Sequence, residues 1–161
     1  MDRIKEAALI LFGVLLVWQA VGAAFALYVP LGRRLFDPLP AVGTIVALAG
    51  GSLILSAIVT MGASWEIPLS TEQNSPAGGL ITSGPFRFSR NPIYLGMLVA
   101  LMGWMLLIPA LLSLIILIGA ILDLRYQALE EEGYLIRTYG ADYAVWAREV
   151  GRFVPWFGRL A

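Results

Sequence analysis

Two short stretches hold most of the residues in this 161-residue chain that could do chemistry. The first is Ser83-Gly84-Pro85-Phe86-Arg87-Phe88-Ser89-Arg90-Asn91-Pro92-Ile93-Tyr94-Leu95-Gly96. Asn is a favoured N-cap and Pro a favoured first helical residue, so Asn91-Pro92 reads as a helix start. Its free N–H groups and positive dipole end would lie beside Arg87 and Arg90, a corner suited to a carboxylate or phosphate. The second stretch is Glu130-Glu131-Glu132, the densest charge in the chain. Asp123, Gln127 and Glu131 recur at i, i+4 and i+8, a polar helical face that would be costly against lipid. Bland readings exist for both. The glutamates could be a solvated helix exit or partners for Arg125 and Arg137, and the arginines could anchor to lipid phosphates. Taken together, cations and a helix N-terminus on one wall and carboxylates on the other describe a pocket for a zwitterionic amino-acid moiety.

Composition narrows the chemistry. Histidine and cysteine are both absent, which excludes thiol nucleophiles, disulfides, Ser-His catalysis and the usual zinc and haem ligands. No metal is expected. A zero formal net charge without a basic tract gives no argument for nucleic acid. S-adenosylmethionine carries a zwitterionic amino-acid moiety together with a sulfonium. Methyl transfer from it is an in-line displacement, in which alignment supplies much of the acceleration. A carboxylate or thiolate acceptor would need no base; an amine would, with Tyr94 or a glutamate of the cluster as candidates.

The elements that must position these residues are apolar. The chain is 59% hydrophobic and 14% charged, against roughly 45–50% and about 25% in soluble proteins. Its apolar runs approach or reach the ~20 residues needed to span a bilayer. Spans are expected at about 7–29, 41–61, 92–107 and 110–128, within one membrane domain covering 1–161. Ala24-Phe25-Ala26 imitates a signal-peptide cleavage site, but the first run is read as a transmembrane helix. In the second span, Ala47 with Gly51 and Ser52 with Ser56 offer four-residue small-residue spacings for close helix packing. The polar 62–91 connector is too long for an idle turn. Ile108-Pro109-Ala110 should turn tightly between the third and fourth spans. The helical pattern continues past the membrane to Tyr139, with Gly140 as C-cap. Asp142 is expected to cap a short helix with Tyr143, Trp146 and Val150 on one face. Phe153, Pro155, Trp156 and Phe157 read as interfacial anchors.

Four spans put both termini, the connector and the segment 129–161 on one side. That side holds nine of the eleven Lys+Arg; only Arg33 and Arg34 lie opposite. The positive-inside rule makes it cytoplasmic.

Two blocks carry a resemblance. One runs Leu80-x-Thr82-Ser83-Gly84-Pro85-Phe86-Arg87-Phe88-Ser89-Arg90-Asn91-Pro92-x-Tyr94-x-Gly96. The other runs Glu131-Glu132-x-x-Leu135-x-x-x-Tyr139-Gly140-x-x-Tyr143-x-x-Trp146, then Val150-x-Arg152-x-x-Pro155. In this order, with a helical hairpin between, they resemble the isoprenylcysteine carboxyl methyltransferase family and the related phospholipid N-methyltransferases. The resemblance implies an all-α integral membrane enzyme, here with four transmembrane helices and a cytoplasmic C-terminal helical extension. It implies S-adenosylmethionine as cofactor, contacted by Gly84, Pro85, Arg87, Arg90, Asn91, Pro92, Tyr94, Glu131 and Glu132. Glu131, Tyr94 and, by a loose match, Arg137 would serve catalysis. Many relatives have Arg-His-Pro where this chain has Arg90-Asn91-Pro92, so no role requiring an imidazole transfers to Asn91. The acceptor would be lipophilic and enter from the bilayer: a prenylcysteine-like carboxylate, a lipid amine or a small thiol. An NADPH-dependent membrane reductase and a non-catalytic scaffold of paired glutamates and arginines are the alternatives.

Overall fold

The computed structural model describes residues 33–62, 79–155 and 157–158. The expected first span, the centre of the polar connector and Trp156 lie outside the described residues. Within them the order is α1 (Pro40–Met61), a 3-10 turn (Gly84–Arg87), α2 (Pro92–Leu107), α3 (Leu111–Tyr139) and α4 (Ala141–Glu149), with no β-strand. Both α1 and α3 are long and apolar enough to cross a membrane. The 16 residues of α2 are apolar but shorter, about 24 Å at 1.5 Å per residue against a hydrocarbon core of ~30 Å. Two of the four expected spans thus meet the length criterion among the described residues.

Backbone proximity holds α1 to α2. A Cβ added at Gly103 would press on the backbone of Ala47 and on the Gly43 carbonyl, 2.7 Å away; one at Gly50 would press on Gly96 and Ala100. Small residues at 43, 47 and 50 on α1 thus face 96, 100 and 103 on α2, antiparallel, at alternating three- and four-residue spacings. That alternation keeps a seam on one face, whereas a strict four-residue row drifts round the helix. This corrects the pairs read from sequence. Ala47 lies in the seam, but Gly51 faces open space. Ser52 donates to the Leu48 carbonyl at 2.8 Å, and the Ser56 carbonyl accepts from Thr60 at 2.7 Å. Hydroxyls turned outward on an apolar helix are satisfied by their own backbone. Ile45, Leu48, Leu55 and Val59 are exposed on α1, as are Ile115, Ile118 and Leu122 on α3, a surface suited to lipid.

The turn at 108–110 forms as expected and is laced to the chain before α1. Leu35 N–H donates to the Pro109 carbonyl at 2.7 Å and Leu111 N–H to the Arg33 carbonyl at 3.2 Å. At the other end of α3, Gly140 adopts φ 55°, which ends α3 and starts α4. Gly140 therefore occupies the position before α4, and Asp142 falls in its first turn instead of capping it. On α4, Tyr143 and Ala147 are fully buried, and the Tyr143 and Trp146 rings meet edge-on at 5.6 Å.

The seam yields a direct prediction. Gly103→Ala should lower the apparent Tm of the detergent-purified protein by several degrees, since overpacking typically costs about 1–3 kcal/mol. Gly51→Ala should leave Tm unchanged or raise it, because Ala is favoured over Gly in a helix by about 1 kcal/mol. Equal losses in both variants would remove the seam.

Candidate active site

The polar residues gather where α2 begins and α3 leaves its apolar section. Glu132 is 4% exposed and Arg90 5% exposed. A charge so placed is tolerable only when paired and hydrogen-bonded. The Glu132 carboxylate takes both nitrogens of an Arg152 fork, Nε at 2.7 Å and NH2 at 3.0 Å. It also takes Arg90 NH1 at 3.2 Å. Arg90 donates further to the Tyr143 hydroxyl at 3.3 Å and to the Gly158 carbonyl. The hydrogen bond to Glu132 raises the Arg152 guanidinium above the usual arginine range. Burial raises the Tyr143 phenol, and the hydrogen bond from Arg90 offsets part of that effect.

The backbone reinforces this cluster. Arg90 N–H donates to the Gly151 carbonyl at 2.9 Å and Asn91 N–H to the Arg152 carbonyl at 3.1 Å. The Arg152 carbonyl also accepts from Asn91 Nδ2 at 3.1 Å and Ser89 Oγ at 3.3 Å. Asn91 thus stands at the N-cap position of α2 without capping it; its side chain ties the C-terminal segment down. Pro92, fully buried, starts the helix as expected. Arg90, read from sequence with Arg87 as one of two candidate grips for an anionic ligand, meets Glu132, Tyr143 and Gly158 through its two terminal nitrogens.

Glu131 is placed otherwise. Helical geometry turns it ~100° from Glu132, and its Oε1 accepts the Tyr94 hydroxyl at 2.6 Å. Tyr94 is three residues into α2, so this bond joins the start of α2 to the polar turn of α3. One and two turns earlier on α3, Gln127 donates to Asp123 at 2.7 Å. The polar face 123–127–131 therefore leads along α3 to the Tyr94–Glu131 pair. Gly84, at φ 57°, is the first residue of the 3-10 turn, Pro85 follows it, and Arg87 ends the turn exposed. Arg137 is exposed and lies over Gly133. Six residues on from Glu131 is ~120° round the helix, so Arg137 is not brought to the pair.

The partners expected for the glutamates were Arg125 and Arg137; those found for Glu132 are Arg90 and Arg152. Arg152 and Tyr143 escaped the site residues read from sequence. Their signal was present: both stand at fixed positions of the second block, and an arginine between Val150 and Pro155 in an apolar stretch needs a partner. Among the described residues no group of three or more His, Cys, Asp or Glu is placed to hold a metal ion.

A family model, phospholipid methyltransferase, matches residues 39–142. The match begins at the N-terminal boundary of α1, takes in Arg90, Tyr94, Glu131 and Glu132, and ends at the start of α4. No curated protein matches the chain at a significant level. A match over well over half of the 161 residues, on apolar helices that join at a paired tyrosine and glutamate, places this chain in the phospholipid methyltransferase family of membrane proteins.

Proposed function

We propose that the protein transfers a methyl group from S-adenosylmethionine to a lipid amine at the cytoplasmic face of its membrane. The observation that carries this reading is the Tyr94–Glu131 pair. Of the two neighbouring carboxylates, Glu132 is neutralised by two arginines, while among the described residues Glu131 meets the neutral Tyr94 hydroxyl. Glu131 is thus the carboxylate left to attract a cation or accept a proton. An amine acceptor needs both, because a protonated amine has no lone pair with which to attack. The family's description supports a lipid acceptor over the prenylcysteine-like carboxylate and the small thiol.

The donor set fits the cofactor chemically. An exposed guanidinium at Arg87, beside the Gly84–Arg87 turn, suits a carboxylate, and the polar face ending at Glu131 suits a cationic centre. When bound, the cofactor supplies a methyl group on a sulfonium. The chain's own work is then to hold the acceptor nitrogen in line, take up its proton at Glu131 and exclude water. Tyr94 orients the Glu131 carboxylate. The Arg90–Glu132–Arg152 cluster positions Glu131 by fixing the neighbouring residue of α3. The cytoplasmic orientation rests on the four-span reading of the sequence, which would put nine of the eleven Lys+Arg on the side of the site.

Ligand binding is tested by thermal-shift titration of the detergent-purified protein with S-adenosylhomocysteine, with NADPH in parallel. A ligand that binds only the folded state stabilises it by about 2.7 kcal/mol at a hundredfold excess over Kd. A saturable upward shift with S-adenosylhomocysteine alone is expected. A shift with NADPH alone would establish the reductase, and none with either would favour the scaffold. Substitutions should separate the two glutamates. Glu131→Gln should lower methylation of a phospholipid amine by about 10²–10⁴-fold, the usual worth of general acid–base catalysis, with Tm nearly unchanged. Glu132→Gln or Arg152→Ala should instead lower Tm markedly, because breaking a buried ion pair costs about 3–5 kcal/mol. Normal turnover by Glu131→Gln would exclude it as the base.

A further inference from the structure

The segment after α4 folds back against the start of α2. Ser89 and Gly151 form a short parallel bridge. Arg152 N–H donates to the Phe157 carbonyl at 3.0 Å and Phe157 N–H to the Val154 carbonyl at 3.2 Å, closing a turn. The inner side of this unit is buried at Ser89, Arg90 and Gly151. Its outer residues are apolar and open: Phe88 is 66% exposed, Val154 49% and Phe157 74%. Arg87, next to Phe88, is exposed as well. Three large apolar side chains on two bridged stretches of backbone, outside any spanning helix, call for an occupant.

Position and charge identify it. Phe88 lies four residues before Pro92, where the apolar body of α2 begins, so the unit sits at the level where a membrane helix meets the headgroups. Aromatic side chains are favoured at that level, and a basic side chain beside them complements lipid phosphates. We propose that this unit is an interfacial anchor, with Phe88, Val154 and Phe157 seated among the headgroups and upper acyl chains of the leaflet in which α2 starts. Arg87 meets the phosphates there. The anchor is tied to α3 through Arg152 and Glu132, so it sets the depth of the Tyr94–Glu131 pair in the same leaflet. The inference rests on the chain being a membrane protein, independently of methyl transfer.

The chain contains no cysteine, so single nitroxide labels can be placed without background. Phe88→Cys, Val154→Cys and Phe157→Cys, with Glu149→Cys as the aqueous reference, are labelled in the full chain and reconstituted into phosphatidylcholine/phosphatidylglycerol vesicles. Retained Tm checks the fold of each, and three positions guard against one disruptive label. Accessibility to oxygen relative to a water-soluble nickel chelate should be several-fold higher at 88, 154 and 157 than at 149. Accessibility equal to that at 149 would overturn the anchor by leaving the unit in water. Low accessibility to both reagents would overturn it too, since another part of the protein would then cover the patch.

Discussion

A carboxylate buried at Glu132 is the constraint on which the polar end of this molecule depends. Removing such a charge from water is expensive, and the expense is met only because two guanidiniums from distant parts of the chain converge on it. That demand draws the segment before α2 and the segment after α4 to the same turn of α3. Once they are there, Arg90, Asn91 and Ser89 find backbone carbonyls at Gly151 and Arg152. The C-terminal segment, whose Val154 and Phe157 are left exposed, is tied to the start of α2 by these polar contacts. A cluster of this kind is weak evidence for net stability; it constrains the arrangement because removing one partner would leave a buried charge uncompensated.

The apolar end obeys a different rule. In lipid, burying another leucine gains little, so helices are held by close backbone approach. Gly43, Gly50, Gly96 and Gly103 permit that approach between α1 and α2, and the outward faces are left to Ile, Leu and Val. The two rules meet at Pro92. Above it α2 packs through glycine; at and below it the chain is fixed by ions and amides. Tyr94 sits at this boundary, which is where an acceptor with a hydrophobic tail and a polar head would present its reactive atom.

Much of this was legible in the sequence. Apolar runs bounded by Pro40, Pro92, Pro109 and Gly140 placed α1, α2 and α3 within about a residue, because proline and glycine act locally. The two motif blocks pointed to the family that the match over 39–142 supports. What could not be read was who pairs with whom. Glu131 and Glu132 are equivalent by composition and neighbours in the chain, yet a ~100° turn of helix sends one to arginines and the other to a tyrosine. Asn91 is a strong cap by type, but its Nδ2 donates to the Arg152 carbonyl and its side chain makes no capping bond to α2. The seam misled at Gly51 and Ser52 for a related reason: composition shows small residues, while only the neighbouring helix decides which of them it faces.

The division of labour between the adjacent glutamates also bears on how the site could work without histidine. A carboxylate held by arginines is a poor proton acceptor, since its neighbours favour the charged form. Glu131 is spared that, because its Oε1 accepts from the neutral hydroxyl of Tyr94. A base that is weakly solvated, neutrally partnered and rigidly carried suits a substrate that brings its own positive charge. In the proposed site the cluster at Glu132 would supply rigidity, with Arg90 and Arg152 held to its own carboxylate. In this arrangement the buried ion pairs and the proposed base are two uses of one helical turn, separated by the rotation of a single residue.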